Sequence, residues 1–179
     1  MAKNGDVFFK IGDADNLFTK LIKEVTGCPV THCIIYMYGS YYESTIKRQG
    51  LKWYNGVIRD FSIKKGYTQA HFKGFLTIEQ TQKMYEFLYH RIGVRYNWLL
   101  LLNMWWIYPL KGLWKKLQWS PYSKKMFGFI CSQLVDSAYL DVGIDLVKDR
   151  KAAYTSPCDL YNSKKLTIVR GLTTKDGNG

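Results

Sequence analysis

The chain's 179 residues, 47% hydrophobic and 16% aromatic, supply enough apolar material for one substantial core, which excludes an intrinsically disordered chain and leads us to expect a single domain over residues 1–172. Its net charge of +12 calls for something anionic, whether nucleic acid, a lipid headgroup layer or an acidic polymer, and does not choose among them. Residues 1–6 carry no apolar run of the kind a secretory signal needs, so a cytoplasmic location is the expectation.

Val7 to Ile11 reads as a short strand behind a Gly5-Asp6 turn. Asp13 or Asp15 can then cap a helix whose apolar face is Leu17, Leu21 and Val25, with Gly27 as its stop. Cys33 to Tyr38 is an unbroken apolar run rich in β-branched and aromatic residues, hence a strand, and Gly39-Ser40 turns it into a hairpin with Tyr41 to Thr45. Leu51 to Tyr54 and Val57 to Ile63 add more sheet, with turns expected at Asn55-Gly56 and Lys65-Gly66. Thr77 and Gln80 form a capping box that opens a helix lined by Met84, Leu88 and Ile92, ended by Gly93.

Trp98 to Leu110 is strongly apolar but too short for a transmembrane helix, which needs about 20 residues, and Pro109 interrupts it. Lys111 to Met126 then mixes lysines with Trp114 and Trp119 and has no acidic residue, an interfacial or anion-facing composition. We expect residues 98–126 to form a Trp-rich helical insertion or lid beside the cleft. After it comes a helix starting near Cys131 and ending at Gly143, a turn at Ser156 to Leu160, a last strand from Leu166 to Val169, and a loose polar tail, 173–179.

Four cysteines, Cys28, Cys33, Cys131 and Cys158, are expected to be thiols rather than a disulfide framework. Cys28, His32 and Cys33 lack the paired short spacings of structural zinc sites, so neither a metal nor a cofactor is expected. Cys131 differs from the other three because it begins a helix, where unpaired N–H groups and the positive end of the dipole stabilise a thiolate.

A thiolate nucleophile needs a base, and three histidines are available. His90 belongs to the capped helix and His71 to a polar stretch read as loop, both solvated, whereas His32 opens a strand that can hold an imidazole in a fixed orientation. Glu43 on the return strand is the candidate to orient it, with Thr45 as the alternative. With Gly39-Ser40 as the loop, Glu43 shares the face of His32 but lies roughly 13 Å along the ladder at about 3.3 Å per residue. A loop at Tyr38-Gly39 halves that gap, and twist or a bulge closes more.

Gly5-Asp6-Val7, Thr31-His32, Glu43, Gly93-Val94-Arg95-Tyr96-Asn97, Cys131-Ser132-Gln133-Leu134-Val135 and Ser156-Pro157-Cys158-Asp159-Leu160 follow one another in an order that resembles the circularly permuted NlpC-type papain-like proteins, in particular their YiiX/YebB-like branch. The resemblance spans about residues 5 to 160. It implies an α+β, permuted papain-like fold with the cysteine helix packed on a mostly antiparallel sheet. It also implies Cys131 as nucleophile, His32 as base, Glu43 as orienting group and the Tyr96 hydroxyl at the oxyanion. Asn97 departs from the aspartate common at that place, and the stretch from Trp98 to Met126 is longer than the usual connection.

The activity so implied is thiol hydrolysis of an amide, such as a cell-wall peptide, through an acyl-enzyme. A lipid acyl hydrolase or acyltransferase at an anionic membrane surface is the alternative within enzymes. A non-catalytic basic module that stacks nucleic-acid bases on Trp and Tyr is the alternative outside them, and the less favoured one. If the stretch 98–126 rests on headgroups, the protein floats with anionic vesicles at low salt, less so at high salt, and the Trp105→Ala/Trp106→Ala variant floats less. Wild-type protein that ignores such vesicles at low salt would make the stretch a folded insertion instead.

Overall fold

A computed structural model describes residues 2–12, 23, 27–49, 52–62, 66–97, 128–148 and 151–169. The expected helix after Asp13, the Trp-rich stretch 98–126 and the tail 173–179 lie outside the described residues.

Short β-branched and aromatic runs become six strands, β1 (Val7–Ile11), β2 (Val30–Met37), β3 (Ser40–Gln49), β4 (Lys52–Asp60), β5 (Tyr67–Phe72) and β6 (Leu166–Ile168), in one sheet of order β4-β3-β2-β1-β5-β6. Each pairing is antiparallel. Alternation divides the central strands between two faces. Val7, Phe9, Cys33, Ile35 and Met37 join the main core, while Phe8, Ile34 and Tyr41 form a smaller cluster on the other face.

Among the described residues the sheet is joined by the helices α1 (Ile78–Tyr89), α2 (Cys131–Asp141) and the short α3 (Pro157–Tyr161), in an α+β fold. The capping box of α1 is present, with Gln80 N–H donating to Thr77 Oγ1 at 3.1 Å and Thr77 N–H to Gln80 Oε1 at 3.0 Å. Met84 and Leu88 are buried as expected, but the helix ends before Ile92, which is 41% exposed. Leu134, Val135 and Ala138 of α2 are fully buried in the main core. A leucine so placed contributes about 1.5–3 kcal/mol. The Tyr139 hydroxyl donates to the Gly5 carbonyl and so ties α2 to the entry of β1.

The hairpin turns one residue earlier than the glycine signal suggested. Met37 pairs with Ser40, so the loop is Tyr38-Gly39, and both residues have positive φ, 44° and 76°. That is the sign pattern of a type I′ turn, whose twist matches the flanking strands. Tyr38 is held in this unusual conformation by its N–H on Asn4 Oδ1 at 2.8 Å and its ring against Tyr85.

Asn55-Gly56 is not a turn either. β4 runs straight through it, Gly56 pairing with Thr45, and a Cβ at Gly56 would collide with the Val94 carbonyl. The glycine is there for close approach of another segment. Ser156 to Leu160, read as a turn, starts α3: Ser156 caps it, Pro157 takes the first position, and the Asp159 carboxylate accepts the Ser156 N–H at 2.9 Å. His71 stands on β5 rather than in a loop, its Nδ1 2.7 Å from the buried Asp6 carboxylate.

The cysteine expectation is corrected in part. Cys28 and Cys158 form a disulfide with Cα atoms 6.1 Å apart, while Cys33 and Cys131 are free and buried. The partners are 130 residues apart, so no local pattern announces the bond. Closing so long a loop removes much chain entropy from the unfolded state, typically about 2–4 kcal/mol of stability. Reductant should therefore lower the unfolding free energy of wild-type protein by about 2–4 kcal/mol, read as a lower midpoint in urea, and leave a Cys28→Ser/Cys158→Ser variant unmoved. Equal midpoints for oxidised and reduced wild type would refute a stabilising crosslink.

Candidate active site

Cys131 is the first residue of α2, and the preceding Ile130 offers no side chain to cap the helix. The first-turn N–H groups therefore remain available to an anion at this end. A short parallel bridge sets the position of the turn: Phe129 N–H donates to the Arg95 carbonyl at 3.1 Å and Asn97 N–H to the Phe129 carbonyl at 3.2 Å. Ser44 Oγ of β3 donates to that same carbonyl at 2.5 Å. Gly128 is required beside it, because a Cβ there would strike the Arg95 carbonyl.

His32 and Glu43 meet just beyond the paired part of the hairpin, which runs from Met37↔Ser40 to Ile35↔Tyr42. With the loop at Tyr38-Gly39, one residue earlier than Gly39-Ser40, His32 Nε2 comes to 2.9 Å from Glu43 Oε2. Glu43, not Thr45, is the partner. Glu43 is 3% exposed, so its charge is little screened. With Nε2 on Glu43, Nδ1 is the ring nitrogen left for Cys131.

Burial opposes a charged His32, but Cys131, through its charge and a hydrogen bond, and then Glu43 outweigh it and raise the imidazole from 6.5 to about 9. The Cys131 thiol moves the opposite way, well below the ordinary thiol value. The first cause is a hydrogen bond from the Cys33 thiol, opposed by burial and reinforced by the charge and hydrogen bond of His32 and by the Cys33 backbone. Cys33 itself is pushed up, by burial first and then by the neighbouring Cys131. The opposite displacements favour thiolate and imidazolium over the neutral pair.

Tyr96 is on the bridge next to Phe129, and burial, then Cys131 and Cys33, push its hydroxyl well above the ordinary tyrosine value. That hydroxyl therefore stays protonated and neutral. Two further residues escaped the sequence reading. Cys33 did so because strand alternation turns it away from His32. Tyr67 did so because it comes from β5, where Lys10 pairs with both His32 and Tyr67 and so aligns them in one row. Its ring meets His32 edge-on at 6.3 Å, and burial followed by the charge of Glu43 keeps its hydroxyl protonated. Only the register across three strands could have found it.

No protein-family model matches the chain, and no curated protein does. Among solved structures it is similar to the crystal structure of metalloprotein yiiX from Escherichia coli O157:H7 (DUF1105), with TM-score 0.55 and 16% identity, covering 93% of this chain and 96% of that one. The likeness is one of fold: this chain has a yiiX-like α+β architecture. Among the described residues no three His, Cys, Asp or Glu side chains are grouped to hold a metal ion.

Iodoacetamide near neutral pH should label Cys131 before Cys33, and the labelling should persist to pH values where an ordinary thiol is silent. Faster labelling of Cys33 would remove Cys131 as the activated thiol.

Proposed function

We propose that the chain is a thiol hydrolase of the permuted papain-like type that cleaves an amide bond, in a cell-wall peptide or a similar substrate, through Cys131, His32 and Glu43. The observation that carries this is a thiol at the first position of a buried helix, its ionisation lowered by the charge of His32, whose Nε2 is held by the buried Glu43 carboxylate. In the reaction the Cys131 thiolate attacks the carbonyl carbon, and the C–O π electrons move to oxygen. That oxyanion lies toward the Tyr96 hydroxyl and the Cys131 N–H. Collapse expels the amine, which takes the proton from the His32 imidazolium, and leaves an acyl-cysteine. His32, now neutral, takes a proton from water as the water attacks the thioester, and the acid is released with the thiolate restored. Glu43 holds the ring in orientation and stabilises its cationic form throughout.

A second reading, hydrolysis or transfer of an acyl group from a lipid at an anionic surface, uses the same three residues. It draws on the net charge of +12 and on the lysines and tryptophans of residues 98–126. Intact-protein mass spectrometry after incubation with cell-wall extract and, separately, lipid extract decides between the two. An acyl adduct on Cys131 from the first supports the amidase, and an adduct from the second alone supports the lipid reading. Absence of an adduct from both, with a Cys131→Ser variant indistinguishable from wild type in turnover of either extract, would overturn both.

The pH dependence follows from the ionisations. His32 must be protonated to serve the leaving amine, so kcat/KM should fall as pH rises through about 9. Replacing Glu43 by Gln removes a charge that favours imidazolium, and the alkaline limb should move to lower pH. His32→Ala should lower kcat by about 10²–10⁴-fold. An unmoved alkaline limb in Glu43→Gln would separate Glu43 from the base.

A further inference from the structure

His32 and Tyr67 both pair with Lys10, near the finish of β1. At the opposite end of the sheet β1 begins, β2 turns into β3 at Tyr38-Gly39, β4 finishes with Asp60 beside Tyr41, and β5 finishes with Phe72 beside Leu166. Leu76 and the Tyr139 hydroxyl close on Gly5, so the entry to α1 and the finish of α2 belong to this second end too. Among the described residues eight large apolar side chains are exposed, and five of them, Tyr38, Phe61, Phe75, Ile78 and Leu140, stand here. Phe75 is 97% exposed, Ile78 90% and Phe61 69%. An exposed apolar residue by itself is ordinary, whereas a gathering of them at one end of a sheet marks a surface that meets something.

Cations accompany these side chains. Lys73 stands two residues before Phe75 and its N–H donates to the Lys165 carbonyl at 2.9 Å, which brings Lys164 and Lys165 alongside. The Arg59 guanidinium lies 4.7 Å from the Phe61 ring centre. Of the surface acids nearby, Asp60 accepts the Ser62 N–H and Asp141 lies 3.8 Å from Lys83, and Glu79 is exposed on the first turn of α1. Positive charge is in excess.

We propose that this end of the molecule docks on an anionic lipid bilayer, with Phe61, Phe75 and Ile78 entering the interfacial layer and Lys73, Lys164 and Lys165 meeting the phosphates. The form of the surface selects a bilayer over a protein partner. Its apolar side chains rise from four separate places in the chain rather than from one continuous groove. A folded partner would need a matching pocket for each, whereas a fluid headgroup layer closes around each one where it stands. Tyr38 suits the same layer, with an apolar ring and a hydroxyl that can stay hydrated. The surface uses no residue of 98–126 and none of the Cys131 site, so it is independent of the hydrolase reading. Leu140 is nine residues from Cys131 on α2, roughly 14 Å at about 1.5 Å per residue, so a bilayer held here stands away from the thiol.

The test is flotation with vesicles of phosphatidylcholine and phosphatidylserine in equal parts, at low and high salt. Wild type is compared with Phe75→Ser/Ile78→Ser, Lys73→Ala/Lys164→Ala and Trp105→Ala/Trp106→Ala. Loss of the two apolar side chains should lower the partition constant by about tenfold or more at either salt concentration. Loss of the two lysines should lower it by about tenfold at low salt and little at high salt, where the attraction is already screened. Phe75→Ser/Ile78→Ser protein that floats like wild type overturns the proposal, as does wild-type protein that ignores these vesicles at low salt. If Trp105→Ala/Trp106→Ala alone loses binding, residues 98–126 carry it and the proposal falls. A change of oligomeric state in Phe75→Ser/Ile78→Ser, seen by sedimentation with flotation intact, overturns it in favour of a contact between copies of the chain. Should that variant lose its melting transition, amide hydrogen exchange of wild-type protein supplies the second measurement. Exchange over residues 73–79 should slow when the mixed vesicles are added, and unchanged exchange there overturns the proposal. No turnover enters these measurements, so flotation without an acyl adduct on Cys131 would leave the docking surface standing and the hydrolase reading fallen.

Discussion

The docking of the first turn of α2 onto β3 is the constraint on which the site depends. The Phe129 carbonyl accepts from Asn97 N–H and from Ser44 Oγ, so one oxygen joins the 94–97 segment, the sheet and the helix entry. Each such bond is worth only about 1 kcal/mol net, but removing a donor from a buried carbonyl costs more than the bond returned. Apolar burial along Leu134, Val135 and Ala138 holds α2 on the sheet without fixing its rotation or advance. The polar contacts do that, and they are made at the end where Cys131 stands.

A charge pair in a buried setting is costly unless its members are well partnered. Here each charge has more than one partner. The charges of Cys131 and Glu43 both favour a protonated His32, and His32 and Cys33 both favour a Cys131 thiolate. The hydroxyls of Tyr67 and Tyr96 stay neutral and add no competing charge. Desolvation works against both ions, and the mutual arrangement outweighs it.

Features set by neighbouring residues were legible in the sequence. The Thr77 capping box, the strand from Cys33 onward and the helix beginning at Cys131 each follow from chemistry within a few residues. Features set by distant partners were not. Tyr38 takes a positive φ because Asn4 and Tyr85 hold it there, and this moved the hairpin loop away from Gly39-Ser40. Gly56 looked like half of a turn because the Val94 carbonyl that requires it comes from another part of the chain. His32 and Glu43 could be paired in advance because a hairpin fixes their relation. Tyr67 needed the register of two more strands.

The Cys28–Cys158 bond makes a covalent ring of most of the chain, and His32, Glu43, Tyr67, Tyr96 and Cys131 all fall inside it. One backbone cut anywhere between Pro29 and Pro157 opens this ring without producing two separate molecules. The strand that carries the imidazole and the helix that carries the thiol remain tethered through sulfur. The oxidised protein is in this sense built to survive nicking in its long connections, with its fragments held at the concentration of a single molecule.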